Sequence, residues 1–199
     1  MRAYLGESIL GRAQENKKIK IVFYNPRDFT KDKHKRVDRR PYGGGPGMVL
    51  EAEPVLKAAE KAIGKKKGVA TLFFSPSGIA FDGAYAKKLG RKAKHVVLIA
   101  GHYEGVDARV ARILKAKKIS IGPYVLTGGE VPAMAVIDAV SRFIPGVLGN
   151  YSSLEDERAA SADVYTRPEI FRYKNKTYRV PRILLSGRHA DIEAWKKQK

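Results

Sequence analysis

The 199-residue sequence contains no cysteine. That absence removes disulfide frameworks, thiolate-bound zinc, iron–sulfur clusters and thiol nucleophiles together. It also makes a reducing cytoplasm the plain expectation for where the chain works. Histidine is scarce: His34, His95, His102 and His189 share no metal-ligand spacing, so no protein metal site is expected. No apolar run approaches the roughly 18 residues of a membrane span. The opening stretch, MRAYLGESILGRAQENKK, lacks a signal-peptide core, so no membrane partner is expected. Acidic side chains are also few, 20 against 39 Lys and Arg, for a formal charge of +19.

That excess is uneven. Residues 1–50 carry +7, 51–100 carry +6, 101–150 only +2 and 151–199 +4. A near-neutral, apolar, glycine-bearing segment is framed by basic flanks. Neutralised phosphates release counterions, so a polyanion such as nucleic acid is the natural partner. The bland reading of surface lysine as a solubilising residue accounts less well for an excess that repels itself. At 44% hydrophobic, the chain still has enough apolar material for a core.

Apolar spacing predicts helices over Ser8–Gln14, Pro54–Ile63, Ala84–Lys94, Val106–Leu114 and Val131–Phe143. Continuous apolar runs predict strands at Ile19–Tyr24, Val69–Phe74 and His95–Ala100, with a short one at Ile119–Ile121. Ser75–Gly78 reads as a turn. Residues 25–48 form a long polar and glycine-rich loop, a length that is usually functional or disordered. Strands apolar on both faces, separated by helices, indicate an α/β fold with a mostly parallel sheet and flanking helices. Such folds place ligands at the strand ends.

Four glycine-bearing segments punctuate the chain: RRPYGGGPGM, AGHYEGVD, SIGPYVLTGGEVP and FIPGVLGN. None is a phosphate-binding GK[ST] loop or a dinucleotide fingerprint. Side-chain-free loops expose backbone N–H and C=O groups, which suits hydrogen bonding to an adenine edge and a ribose. Ile121, Val125 and Leu126 could wall the ring. Taken singly, each loop reads more readily as a plain tight turn than as a ligand site. Glu155, Asp156 and Glu157 form an acidic cluster in a basic tail, readable as a solvated loop or as a carboxylate base; spacing does not decide.

Taken in order, VDRRPYGGGPGM, LIAGHYEGVDARVA, ISIGPYVLTGGEVPAMAVIDAVSRFIPGVLGN, YTRPEIF and VPRILLSGRHADIEAW resemble the bacterial tRNA (guanine-N1-)-methyltransferases, the TrmD family of the SPOUT class. The resemblance runs from about Glu7 to Trp195. It implies a deep trefoil knot, a homodimer with the active site at the subunit interface, and methyl transfer from S-adenosylmethionine to N1 of the tRNA guanosine just 3′ of the anticodon. It also implies a magnesium requirement without a dedicated protein site. The cofactor pocket would use Pro76, Gly101, Tyr103, Glu104, Gly105, Ser120, Ile121, Gly122, Tyr124, Val125 and Leu126, closed by Gly128, Gly129 and Pro132. The catalytic arginine falls on Arg142, and the general base on Glu157 or, with a one-residue gap, on Asp156.

Relatives usually open with an apolar strand ending in Phe-Pro and continue past Trp195 into further helices that grip tRNA, so a shortened member is expected. The implied organisation is a knotted cofactor-binding domain over 1–149, a mobile linker over 150–163 and a truncated tRNA-binding extension over 164–199. Single positions also depart from the family: Arg39 stands for Asp, His102 for Arg, Pro123 for Asp, and the linker after Glu157 is shorter. These departures leave a second reading open, an RNA-binding protein that keeps knot and pocket but has lost turnover.

Overall fold

The computed structural model describes residues 1–148 and 163–196. The chain divides into two compact units, Met1–Gly149 and Asn150–Lys199. In the first unit, α1 (Arg2–Leu5) and α2 (Ser8–Glu15) precede a single 3₁₀ turn (Pro26–Phe29) and two short strands, β1 (Asp38–Arg39) and β2 (Val49–Leu50), paired antiparallel. The remaining elements alternate: α3 (Ala52–Ile63), β3 (Ala70–Ala80), α4 (Gly83–Lys92), β4 (Val96–Ile99), α5 (Ala108–Ile113), β5 (Lys117–Ser120) and α6 (Glu130–Ser141). Strands β4, β3 and β5 lie side by side in that order, all parallel. This is the α/β class with the parallel sheet expected from the apolar runs.

Both faces of the sheet are covered, which is why β4 and the first half of β3 are largely apolar. Successive β3 residues alternate between two cores. Phe73 joins Val37, Leu50, Val55, Ala59, Ile99, Val110 and Ala111 on the α3/α5 side. Leu72 joins Leu89, Ile119 and Val136 on the α4/α6 side. Leu72, Val110, Ile119 and Val136 are fully buried. Asp82 caps α4, accepting a hydrogen bond from the Tyr85 backbone N–H at 2.7 Å, the usual role of an aspartate in that place.

Two expectations are overturned. Ile19–Tyr24 forms no strand. Val22, Phe23 and Tyr24 are exposed, and the Arg2 guanidinium sits 4.9 Å from the Phe23 ring centre. An apolar run makes a strand only where a neighbour satisfies its backbone, and among the described residues no strand lies beside it. Second, Ser75–Gly78 does not end the strand. Phe74 and Ile79 both register with Ile119, so these residues are extruded as a bulge within β3. The other predicted elements form with ends shifted by a few residues. The long 25–48 segment is pinned by its own short helix, by β1 and by buried Val37. No described helix is long and apolar enough to cross a membrane.

In the second unit, β6 (Ile170–Tyr173) and β7 (Lys176–Arg179) form an antiparallel hairpin. It is followed by α7 (Arg182–Leu185) and α8 (His189–Lys196), which pack on each other. The expected linker falls almost wholly outside the described residues.

Candidate active site

Parallel strands deliver their carboxyl ends to one edge, and the loops that leave it meet there. The β4–α5 loop and the end of the β5–α6 loop are joined directly. The Gly129 N–H donates to the Gly101 carbonyl at 2.7 Å, and His102 and Gly128 form an isolated antiparallel bridge. A Cβ on Gly129 would lie 2.6 Å from the Ala100 Cα and 2.8 Å from the Gly101 nitrogen. Only glycine permits that approach.

Met48 and β2 supply a third wall. The Glu104 N–H donates to the Met48 carbonyl, the Leu50 N–H to the Gly105 carbonyl and the Asp107 N–H to the Leu50 carbonyl, each at 3.0 Å. The sequence gives no sign of this clamp, which joins residues some fifty-five positions apart; Met48 and Leu50 were not among the expected site residues. Arg39, one of the departures, pairs with Glu51 at 2.5 Å, and that carboxylate raises the guanidinium pKa. The pair closes the base of the Pro41–Gly47 loop.

The β5–α6 loop begins with a self-closing turn. The Ser120 hydroxyl donates to the Gly122 carbonyl at 2.8 Å and accepts from the Gly122 N–H at 3.2 Å. The Tyr124 hydroxyl donates to the Ile121 carbonyl at 3.2 Å. Val125 and Leu126 follow, Val125 being 83% exposed and Leu126 37%. Gly129 then starts α6 as its N-cap, with Pro132 buried in the first turn, where a missing N–H costs nothing.

Asp107 caps α5. Its carboxylate accepts from the Arg109 N–H at 2.9 Å and from the Arg109 guanidinium at 2.6 Å. Hydrogen bonding from Arg109, the largest cause, holds the Asp107 pKa below its ordinary value. This fixes the far end of the β4–α5 loop. At its tip, Tyr103 has a φ of +56° and Gly105 one of +118°. A Cβ on Gly105 would meet nothing within 4 Å, so its surroundings are open. Tyr103 is half exposed and edge-on to His102, with ring centres 4.6 Å apart.

Of the sequence-predicted residues, the structure thus gathers Gly101, Glu104, Gly105, Gly128 and Gly129 into one hydrogen-bonded group, with Tyr103 at its tip. Ser120, Ile121, Gly122, Tyr124, Val125, Leu126 and Pro132 lie along the loop that leads into it. Pro76 is exposed in the β3 bulge at the same edge. Arg142 is elsewhere. It caps the opposite end of α6, a twelve-residue helix whose rise of 1.5 Å per residue puts that end about 18 Å from Gly129. Asp156 and Glu157 lie outside the described residues. Among the described residues no group of three or more His, Asp or Glu could hold a metal ion.

The edge therefore offers backbone donors and acceptors, open space at Gly105 and exposed apolar side chains, with the imidazole of His102 and the carboxylate of Glu130 beside Gly128. It can hold a flat, partly apolar ligand with hydrogen-bonding edges. The protein family described as tRNA (Guanine-1)-methyltransferase TrmD matches this chain over residues 1–199. A tRNA (guanine-N(1)-)-methyltransferase of Carboxydothermus hydrogenoformans is 46% identical, covering 98% of this chain and 76% of the relative. The protein of the same description from Ruminiclostridium cellulolyticum is 47% identical, covering 98% of this chain and 83% of the relative. One from Campylobacter jejuni is 42% identical, covering 98% and 85%. With the match running through every loop just described, the chain belongs to the TrmD family of tRNA (guanine-N1)-methyltransferases.

Proposed function

We propose that this chain transfers a methyl group from S-adenosylmethionine to N1 of the guanosine immediately 3′ of the anticodon in tRNA. The single observation that carries the reading is the gathering of the glycine loops at the carboxyl edge of the sheet. The residues there fit the methyl donor. Gly101, Gly128 and Gly129 let the loops close on one another, Gly105 faces open space, and Tyr124, Val125 and Leu126 offer exposed apolar surface. Bound there, S-adenosylmethionine would supply an electrophilic methyl on a sulfonium.

The remaining work falls to side chains. N1 of guanine carries a proton and is a poor nucleophile until it is lost. Asp156 or Glu157 would take that proton. Negative charge then builds towards O6, and the Arg142 guanidinium would stabilise it. Because α6 separates Arg142 from the glycine edge by its full length, one copy does not bring the two together. A homodimer, in which one subunit's Arg142 and carboxylate serve the donor site of the other, supports the chemistry and matches a point-symmetric assembly. The same reading includes the trefoil knot in 1–149, the tRNA-gripping role of 164–199, a magnesium requirement met without a protein site, and a cytoplasmic setting.

Calorimetry with S-adenosylmethionine and a methyl-transfer assay on unmodified tRNA test this together. The expected result is saturable donor binding and incorporation of methyl at guanine N1. Binding without transfer would replace the reading with that of a turnover-deficient RNA-binding protein. No binding at saturating donor would overturn both.

A further inference from the structure

The second unit carries a surface that the transfer chemistry does not use. The hairpin β6–β7 closes through Lys174 and Asn175, with φ of +46° and +59°. Two successive positive values mark the tight turn whose twist suits paired strands. The pairing is in register from Ile170 opposite Arg179 to Tyr173 opposite Lys176, and the Val180 N–H continues it by donating to the Glu169 carbonyl at 3.0 Å.

That register sorts the side chains. Phe171 and Tyr173 share one face, and Tyr178 lies directly opposite Phe171. The Phe171 and Tyr173 rings are nearly parallel, at 9°, with centres 6.3 Å apart. The three rings are 54%, 55% and 52% exposed, so this face is open within its unit. An aromatic face without cover is costly in water. Two lysines adjoin it, Lys174 in the turn and Lys176 opposite Tyr173. The Lys174 ammonium lies 5.5 Å from the Tyr173 ring centre, within the range of a cation–π contact. Arg172, Lys176 and Arg179 sit on the same two strands, and no acidic residue occurs from Ile170 to Ala190.

We infer that the aromatic face of this hairpin is a stacking platform for unpaired RNA nucleotides, with Lys174 and Lys176 holding the adjoining phosphates. Two features select this occupant. Flat exposed rings stack on bases irrespective of sequence. The basic residues of the hairpin, with no acidic residue from Ile170 to Ala190, complement a phosphate chain and disfavour a protein surface that lacks acid. A regular duplex hides its base faces, so the platform takes single-stranded loops. The inference rests on the reading that the chain acts on tRNA, and it adds the kind of nucleotide the second unit grips.

The test uses the full chain, with fluorescence anisotropy on labelled unmodified tRNA, a single-stranded RNA 12-mer and the same 12-mer as a duplex. The double variant Phe171→Leu/Tyr173→Leu keeps apolar strand residues but removes the rings. It is expected to bind the single strand and the tRNA at least about tenfold more weakly, while duplex affinity and circular dichroism stay unchanged. Tyr173→Trp is expected to retain wild-type affinity. Lys174→Ala is expected to lower the salt slope for the single strand by about 0.7, while the Leu variant leaves it unchanged.

Wild-type single-strand affinity in the Leu variant would overturn the inference. Equal loss for duplex and single strand would also overturn it, as would loss in Tyr173→Trp. If the Leu variant instead changes only the sedimentation coefficient, the face is an interface with a second copy and the inference falls. Methyl transfer by the wild-type chain, measured alongside, reports on the proposed reaction separately: its absence with the stacking effect intact would remove that reading and leave the platform.

Discussion

The carboxyl edge of the parallel sheet and the hairpin of the second unit are built by opposite means. At the edge, the surface is made largely from backbone. Gly129 touches the Gly101 carbonyl, Met48 and Leu50 clamp residues 104–107, and almost every contact is an N–H to C=O bond. On the hairpin, the backbone is spent on the ladder, and side chains from Phe171 to Tyr178 do the presenting. A surface made of backbone tolerates changes of charge and fails when a methyl group is added. A surface made of side chains tolerates bulk and fails when a ring or a cation is removed.

The sharpest way to press that difference is to ask what the backbone edge lacks. The groups proposed for proton transfer and for developing charge, Asp156 or Glu157 and Arg142, are not among those that build it, so those functions should be separable from donor binding. Arg142→Ala is expected to lower kcat about 10²–10³-fold, with donor affinity by calorimetry unchanged. A parallel loss of donor affinity would break the separation. Next in size is Gly129→Ala. Its new Cβ meets the Ala100 backbone, which cannot swing aside, so a loss of about 1–3 kcal/mol in urea unfolding is expected, together with at least about tenfold weaker donor binding. Unchanged stability and affinity would show that the glycine approach is not what shapes the edge. Smaller again is Ser120→Ala, which removes the hydroxyl bridging the Gly122 N–H and C=O. A donor affinity loss worth about 1 kcal/mol is expected, and RNA affinity should not change.

The smallest effect is a pH dependence. Asp107 has its pKa lowered chiefly by the Arg109 hydrogen bond. A carboxylate lowered on folding contributes stability that is present above its unfolded value, about 3.9, and is lost as pH falls through the folded value. Arg109→Ala should therefore melt slightly lower than wild type at neutral pH, and the difference should vanish in acid. A difference that persists below both values would mean the pair acts through packing instead.

Sequence alone conveyed the sheet better than the site. Val96–Ile99 is legible because a strand buried on both faces is apolar at every position. Ile19–Tyr24 is apolar but for Lys20 and forms no strand, because composition does not record whether a neighbour exists to pair with it. The glycine loops were visible as punctuation and their identity as a resemblance. What joined them was not: the bonds from residues 48–50 to 104–107 are backbone bonds that any residue types can make. The hairpin escaped because its alternation is aromatic against basic, with neither face apolar enough to read as buried. Lys174-Asn175 between alternating aromatic residues was the available signal.

The most direct test of the account is complementation between two defective copies. At donor concentrations well below the weakened affinity, Gly129→Ala should leave the donor site largely empty, and its cost leaves most of a typical stability margin of about 5–15 kcal/mol intact. Arg142→Ala should leave the donor site whole and remove the charge-stabilising group. If one subunit's Arg142 serves its partner's donor, an equal mixture refolded together should recover about a quarter of wild-type methyl transfer, since half the dimers are mixed and each has one intact site. A mixture no more active than either variant alone would contradict the assignment of donor edge and Arg142 to different subunits of one site.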